Sequence, residues 1–179
     1  MKNDFFFPNF ELAKFEIENS SLANKISNEE LQYYLHKSWD KGKKEAVNII
    51  KEFGNNINFF EIFNKNNIKI NKYNIDKIIG NIRYYAEYIT KTREINLYLK
   101  SIELWANNNE INFNRACNMT LAHEYFHYLE LTKIGILSDK NNIPLFKLFN
   151  KPIGKSRYLV LSEIGAYAFV NKLYQEGAI

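Results

Sequence analysis

Residues 121–130 read LAHEYFHYLE, which places two of the chain's three histidines four positions apart with a glutamate directly after the first. On a helix, residues four apart lie on one face, one turn above the other. His123 and His127 can therefore aim both imidazoles at a single point. The surrounding segment reads as that helix, from about Asn114 to Ile134. Ala116, Met119, Leu121, Ala122, Tyr125, Phe126 and Leu129 supply a broad apolar surface, and Gly135 is a natural stop. Zinc takes borderline nitrogen donors in a tetrahedral array, and two histidines at this spacing supply half of it. Glu124 follows the first of them, so its carboxylate projects beside the ion rather than onto it. There it can take a proton from a water whose pKa zinc lowers to about 7. This is the H-E-x-x-H pattern, in which every fixed residue has a task. The competing reading is a packed helix whose histidines satisfy polar groups in the core.

A catalytic zinc usually takes three protein ligands and keeps a fourth position for water. His36 is the sole remaining histidine; it lies far upstream, where Asp40 stands as an i,i+4 partner, and reads as a partly exposed helix residue. The metzincin continuation is absent, because Glu130 stands where its glycine belongs and Lys133 where its third histidine belongs. The downstream acids are Glu130, Asp139, Glu163 and Glu176. Glu130 shares the histidine face, yet a ligand further along the same helix is poorly placed to cap the ion. Asp139 falls in a short polar turn and Glu176 almost at the last residue. Glu163 lies in YLVLSEIGAYAFVNKL (158–173) on a stripe with Leu159, Ala166 and Val170, which turns it inward. A carboxylate on an apolar face is costly unless something offsets its charge. A cation does so; so would a buried salt bridge with Arg157 or Arg115. His, His and Glu together form the ligand set of thermolysin-like zinc hydrolases.

Upstream, Ser27 and Glu30 predict a capping box that opens a helix through Leu31, Tyr34, Leu35 and Trp39, with Gly42 as a break. A second helix, KEAVNIIKEFG, ends at Gly54. NFFEIFN (58–64) predicts a short helix and NIKI (67–70) a short strand. IRYYAEYI (82–89) and EINLYLKSIELWA (94–106) predict strands joined by a hairpin at TKTR, the second running on into a bend or a helix. NNIPLFKLFNKPIGKS (141–156) reads as a loop with one short helical turn, and a last helix is expected from about Tyr158 to Tyr174. Helices, then strands, then helices indicate an α+β domain. We expect a single domain over residues 1–179, of which 1–45 form a helical N-terminal extension, with a small, mainly antiparallel sheet.

Bulk properties exclude several classes. The chain has 179 residues, 46% of them hydrophobic and 25% charged, as expected of an ordinary globular domain. The formal charge of +4 is spread out, and the Lys41, Lys43, Lys44 cluster, followed by Glu45, reads as a solvated surface. No zinc-finger, basic-zipper or RNA-recognition signature is present, so nucleic acid is not an expected partner. Cys117 is the only cysteine, which rules out an internal disulfide and thiolate clusters. The apolar run before Pro8 is too short for a signal peptide, and no stretch approaches a membrane span. A reducing cytoplasm is the expected location.

AHEYFHYLE, followed some thirty residues later by SEIGAYAF, resembles the ImmA/IrrE family of cytoplasmic zinc metallopeptidases, over roughly Ala46 to Tyr174. AVNIIKEFGNNINFFEIFNKNNIKI is similar to that family's helices leading into a first strand, and YAEYITKTREINLYLKS to the hairpin before its active-site helix. The resemblance implies a minimal zincin-like α+β fold with an active-site helix and a C-terminal helix. It also implies peptide-bond hydrolysis, with His123, His127 and Glu163 as zinc ligands and Glu124 as general base. Some members cleave repressors, so a repressor or another regulatory protein is the implied substrate. The chain departs from the family where Ile164 and Gly165 follow Glu163 and where Tyr167 replaces an asparagine. It also lacks the proline that often follows that motif and an evident helix-turn-helix region.

The expected function is therefore that of a zinc metalloendopeptidase acting on a cytoplasmic protein. A tyrosine hydroxyl or an arginine would steady the developing oxyanion. Tyr158, Arg157 and Tyr167 lie near Glu163 in sequence, although core packing or surface exposure is the more usual role for each. A strand edge from the 82–106 region would receive an extended peptide. Two alternatives stand beside it. One is a zinc-binding sensor or interaction module with a degenerate or self-blocked site, for which DFFFPNF (4–10) would supply a partner interface or a plug, ordinary core packing being the more usual role of such a segment. The other is a closed, four-ligand structural zinc site.

Overall fold

In the computed structural model, which describes residues 7–140, 146–148, 151–153 and 157–179, the reciprocal cap is present. The Ser27 N–H donates to the Glu30 carboxylate at 3.0 Å, and the Glu30 N–H donates to the Ser27 hydroxyl at 3.2 Å. These bonds satisfy donors that a helix start otherwise leaves open. The helix they begin, α2 (Asn28–Phe53), does not break at Gly42. Glycine costs a helix interior about 1 kcal/mol relative to alanine. It is needed here because a Cβ on Gly42 would lie 2.1 Å from the carbonyl oxygen of Gly165. The glycine marks a close approach of two backbones rather than a helix end. The real stop is Gly54, at φ +76°.

The architecture is α+β, and the chain divides into two compact units, 1–7 with 49–125 and 173–179, and 8–48 with 126–172. Within the first unit, Asn58 caps α3 (Phe59–Lys65) by accepting the Phe60 N–H at 3.1 Å. β1 (Lys69–Tyr73) follows. IRYYAEYI is divided at Tyr85. Its first part, β3 (Ile82–Tyr84), pairs antiparallel with β2 (Lys77–Ile79), while β4 (Ala86–Ile89) pairs antiparallel with β5 (Glu94–Tyr98) across TKTR. Strand order in the larger sheet is β1-β5-β4, with β1 parallel to β5, Lys69 opposite Glu94. β5 buries Ile95 and Leu97 and then runs directly into α4 (Leu99–Asn108), so 94–106 is a strand followed by a helix.

Local electrostatics hold the small elements of this unit. Arg83 meets Asp76 at 2.8 Å, and that bond keeps the Asp76 carboxyl below the usual range. The Tyr98 hydroxyl donates to Glu87; burial, with the neighbouring carboxylate second, pushes the phenol up to about 12. Phe7 packs against Trp105 and Tyr174 with ring centroids 6.4 and 5.0 Å apart. Asp4, Phe5 and Phe6 of the DFFFPNF segment lie outside the described residues.

The second unit contains α1 (Phe10–Glu18), most of α2, α6 (Leu137–Lys140) and α7 (Val160–Gln175), the last running on into the first unit. Part of 141–156, read from sequence as a loop, is a strand pair: β6 (Phe146–Leu148) runs antiparallel to β7 (Lys151–Ile153). The expected helical turn in that stretch finds no place in these two strands, and the rest of 141–156 lies outside the described residues. Two lysines of the cluster are ion-paired, Lys41 with Glu45 at 2.6 Å and Lys43 with Asp40 at 2.8 Å. Burial raises the Glu45 pKa, but bonds from Lys41 and Asn48 outweigh it and hold the carboxyl below its ordinary value. Among the described residues no helix is long and apolar enough to cross a membrane.

Candidate metal centre

The helix that carries the histidines is α5 (Phe113–Leu129). Asn112 caps it, its side-chain oxygen accepting the N–H groups of Asn114 and Arg115 at 2.9 and 3.3 Å. Asn118 then pins it to the start of α3: its oxygen accepts the Phe59 N–H at 2.8 Å, and its amide donates to the Ile57 carbonyl at 2.7 Å. Ala116, Met119, Leu121, Ala122, Phe126 and Leu129 are buried, as the apolar surface of the sequence requires. Beyond Leu129 the helix widens into a π turn, Glu130–Ile134, and ends at Gly135, φ +73°. Such turns recur at functional sites.

His123 and His127 are half-buried, one turn apart on this helix, and α7 supplies Glu163. One ligand atom from each of the three lies within 4.8 Å of the other two. The His127 Nε2 and the nearer Glu163 oxygen are 3.5 Å apart. A tetrahedral ion with bonds of ~2.1 Å needs donors about 3.4 Å apart. One pair already has that spacing, and the widest gap closes with side-chain motion of little more than about 1 Å. The group could therefore hold a metal ion, and its two imidazoles and one carboxylate suit zinc chemically. Among the described residues the cluster has three members.

Glu163 arrives there for a different reason from the one its sequence suggests. Ala166 and Val170 are buried, but Leu159 is 66% exposed and the Glu163 side chain 43% exposed. The inward apolar stripe therefore starts after Glu163, and desolvation of its carboxylate is modest. Convergence with the imidazoles is what distinguishes it. The two arginines considered as salt-bridge partners bond elsewhere: Arg157 to Asp139 at 2.8 Å, and Arg115 to the Ile179 carbonyl at 3.0 Å. His36 stands apart from the cluster, exposed against the Phe10 ring at 5.3 Å, and Asp40 is taken by Lys43.

Glu124 is 9% exposed and directly follows His123 on α5. The oxyanion candidates are committed to other bonds. The buried Tyr158 hydroxyl shares a bond with the Ser20 hydroxyl at 2.7 Å, Tyr167 donates to Glu16 at 3.0 Å, and Arg157 holds Asp139. Sequence reasoning passed over one residue of the site. Glu130, set aside as a ligand, is 4% exposed and has its carboxylate 3.0 Å from His127 Nδ1. The signal was available, since Glu130 is three residues beyond His127 and so faces it on a helix.

Comparison of the chain with protein families, with curated proteins and with solved structures gives no match. The functional reading rests on the residues and their geometry.

Proposed function

We propose that this protein is a zinc-dependent peptidase whose ion is held by His123, His127 and Glu163. The observation that carries the proposal is the convergence of those three donors, from two helices, within 4.8 Å. When bound there, zinc would polarise a carbonyl and acidify a coordinated water. The chain's own residues do the rest. His123 and His127 present neutral nitrogens, and Glu163 brings the negative charge that partly balances a divalent cation. Glu124, beside the ligands rather than among them, accepts a proton at its carboxylate and returns it to the leaving amine. One carboxylate thereby serves both halves of the proton transfer.

The substrate class we propose is a protein segment in extended form. β4 lies at the edge of the larger sheet, where a peptide can add as a further strand through main-chain hydrogen bonds. A regulatory protein such as a repressor, cleaved in the manner of ImmA/IrrE-like peptidases, is the substrate that the resemblance of AHEYFHYLE and SEIGAYAF supports.

Metal analysis of purified protein tests this directly. About one equivalent of zinc is expected per chain, and its removal by a chelator should stop cleavage of a susceptible protein until zinc is restored. A protein that takes up no divalent ion, or that cleaves equally well without one, would refute the proposal.

A further inference from the structure

Glu130 makes three contacts from one buried carboxylate. One oxygen accepts the Leu137 N–H at 2.8 Å and the Ser162 hydroxyl at 2.8 Å. The other oxygen faces His127 Nδ1 at 3.0 Å. An ionised carboxylate has no proton to give, so beside it a neutral ring carries its hydrogen on Nδ1. The ring is thus held in the tautomer whose bare lone pair is on Nε2, the atom that lies 3.5 Å from Glu163. Through Ser162 the same carboxylate grips α7 one residue before Glu163 itself. The π turn that begins at Glu130 takes the chain round to Leu137, whose N–H completes the set.

We infer that Glu130 is the positioning residue of the metal centre: it fixes the His127 tautomer and ties the segment bearing His127 to the segment bearing Glu163. This role rests on the metal-holding reading of the cluster and extends it to a residue outside the ligand set. Carboxylates that orient a ligating histidine typically govern metal affinity by about 10–100-fold.

Glu130→Gln separates positioning from packing. Its amide oxygen can still accept from Leu137 and Ser162, so the fold should survive. Its NH₂ then faces His127 Nδ1 as a donor, which favours the opposite tautomer and places a hydrogen on Nε2. Two measurements read the outcome. Nitrogen-15 NMR of the metal-free proteins at about pH 8, where a typical imidazole is neutral, should show His127 protonated on Nδ1 in the wild type and on Nε2 in the variant. Competition with a chromophoric chelator should show zinc affinity lowered about 10–100-fold, with thermal unfolding of the apo form little changed. Ser162→Ala should keep the wild-type tautomer. A zinc-binding wild type whose Gln variant retains both tautomer and affinity overturns this role alone. A wild type that binds no divalent ion overturns the metal reading and the role together.

Discussion

Glu124→Gln protein is expected to carry the same zinc as the wild type and to lose about 10²–10⁴-fold in hydrolytic rate, the usual size of a general acid–base contribution. The variant is nearly isosteric, so a side chain that is 9% exposed should pack as before. What changes is chemistry: an amide cannot accept the proton that a carboxylate takes. Because Glu124 stands beside the three converging donors and not among them, metal content should be unaffected. That combination, full occupancy with little turnover, is the signature that separates a base from a ligand. Assays should use a cellular protein that disappears only when the wild-type chain is present. Equal rates for both forms would remove Glu124 from the mechanism.

His123→Ala and His127→Ala should act in the opposite sense, abolishing the site before any question of rate arises. Each removes one of the three donors that converge within 4.8 Å. The fall in zinc affinity should exceed the range seen for residues that only orient a ligand, reaching on the order of a hundredfold or more. Stability gives a second reading that is independent of substrate. An ion that binds the native state at a hundred times its Kd stabilises it by about 2.7 kcal/mol. For a chain of this size that is a rise in Tm of roughly 5–10 °C. The wild type should show this rise on adding zinc, and the two alanine variants should not. The half-buried position of His123 limits the cost of its truncation to the apo protein, whereas His127→Ala also strips a partner from the buried Glu130 carboxylate. A wild-type rise preserved in both variants would place the ion elsewhere.

Much of this was legible in the residues because the strongest signals are local. The Ser27–Glu30 cap, the short helix after Asn58 and the Gly54 and Gly135 stops need only a few neighbours, and they lie where the pattern puts them. The histidine pair is local too, since one helical turn fixes it. Misreadings arose where a distant segment decides the outcome. Gly42 looks like a helix break until the Gly165 carbonyl is seen against it. The division of 82–89 at Tyr85 depends on two different partner strands, one before it and one after. Leu159 looks like core, yet α7 buries its face only further along. Glu130 could be placed beside His127 from spacing, but not beside Leu137 or Ser162, because those contacts form only once the π turn and α7 are in position.

Cys117 sits on α5 within the first unit, six residues before His123, as a free and buried thiol that burial pushes up to about 11. Against the ordinary value of 9.0, that leaves on the order of a hundredfold less thiolate near neutral pH. At 4% exposure this sulfur meets a labelling reagent slowly, and local opening of its surroundings speeds the reaction. The chain therefore carries its own stopwatch. The rate at which the lone thiol is modified in native protein reports the opening frequency of the helix on which the histidines are mounted. Slower modification with zinc present would time, without any introduced probe, how firmly the ion clamps that helix shut.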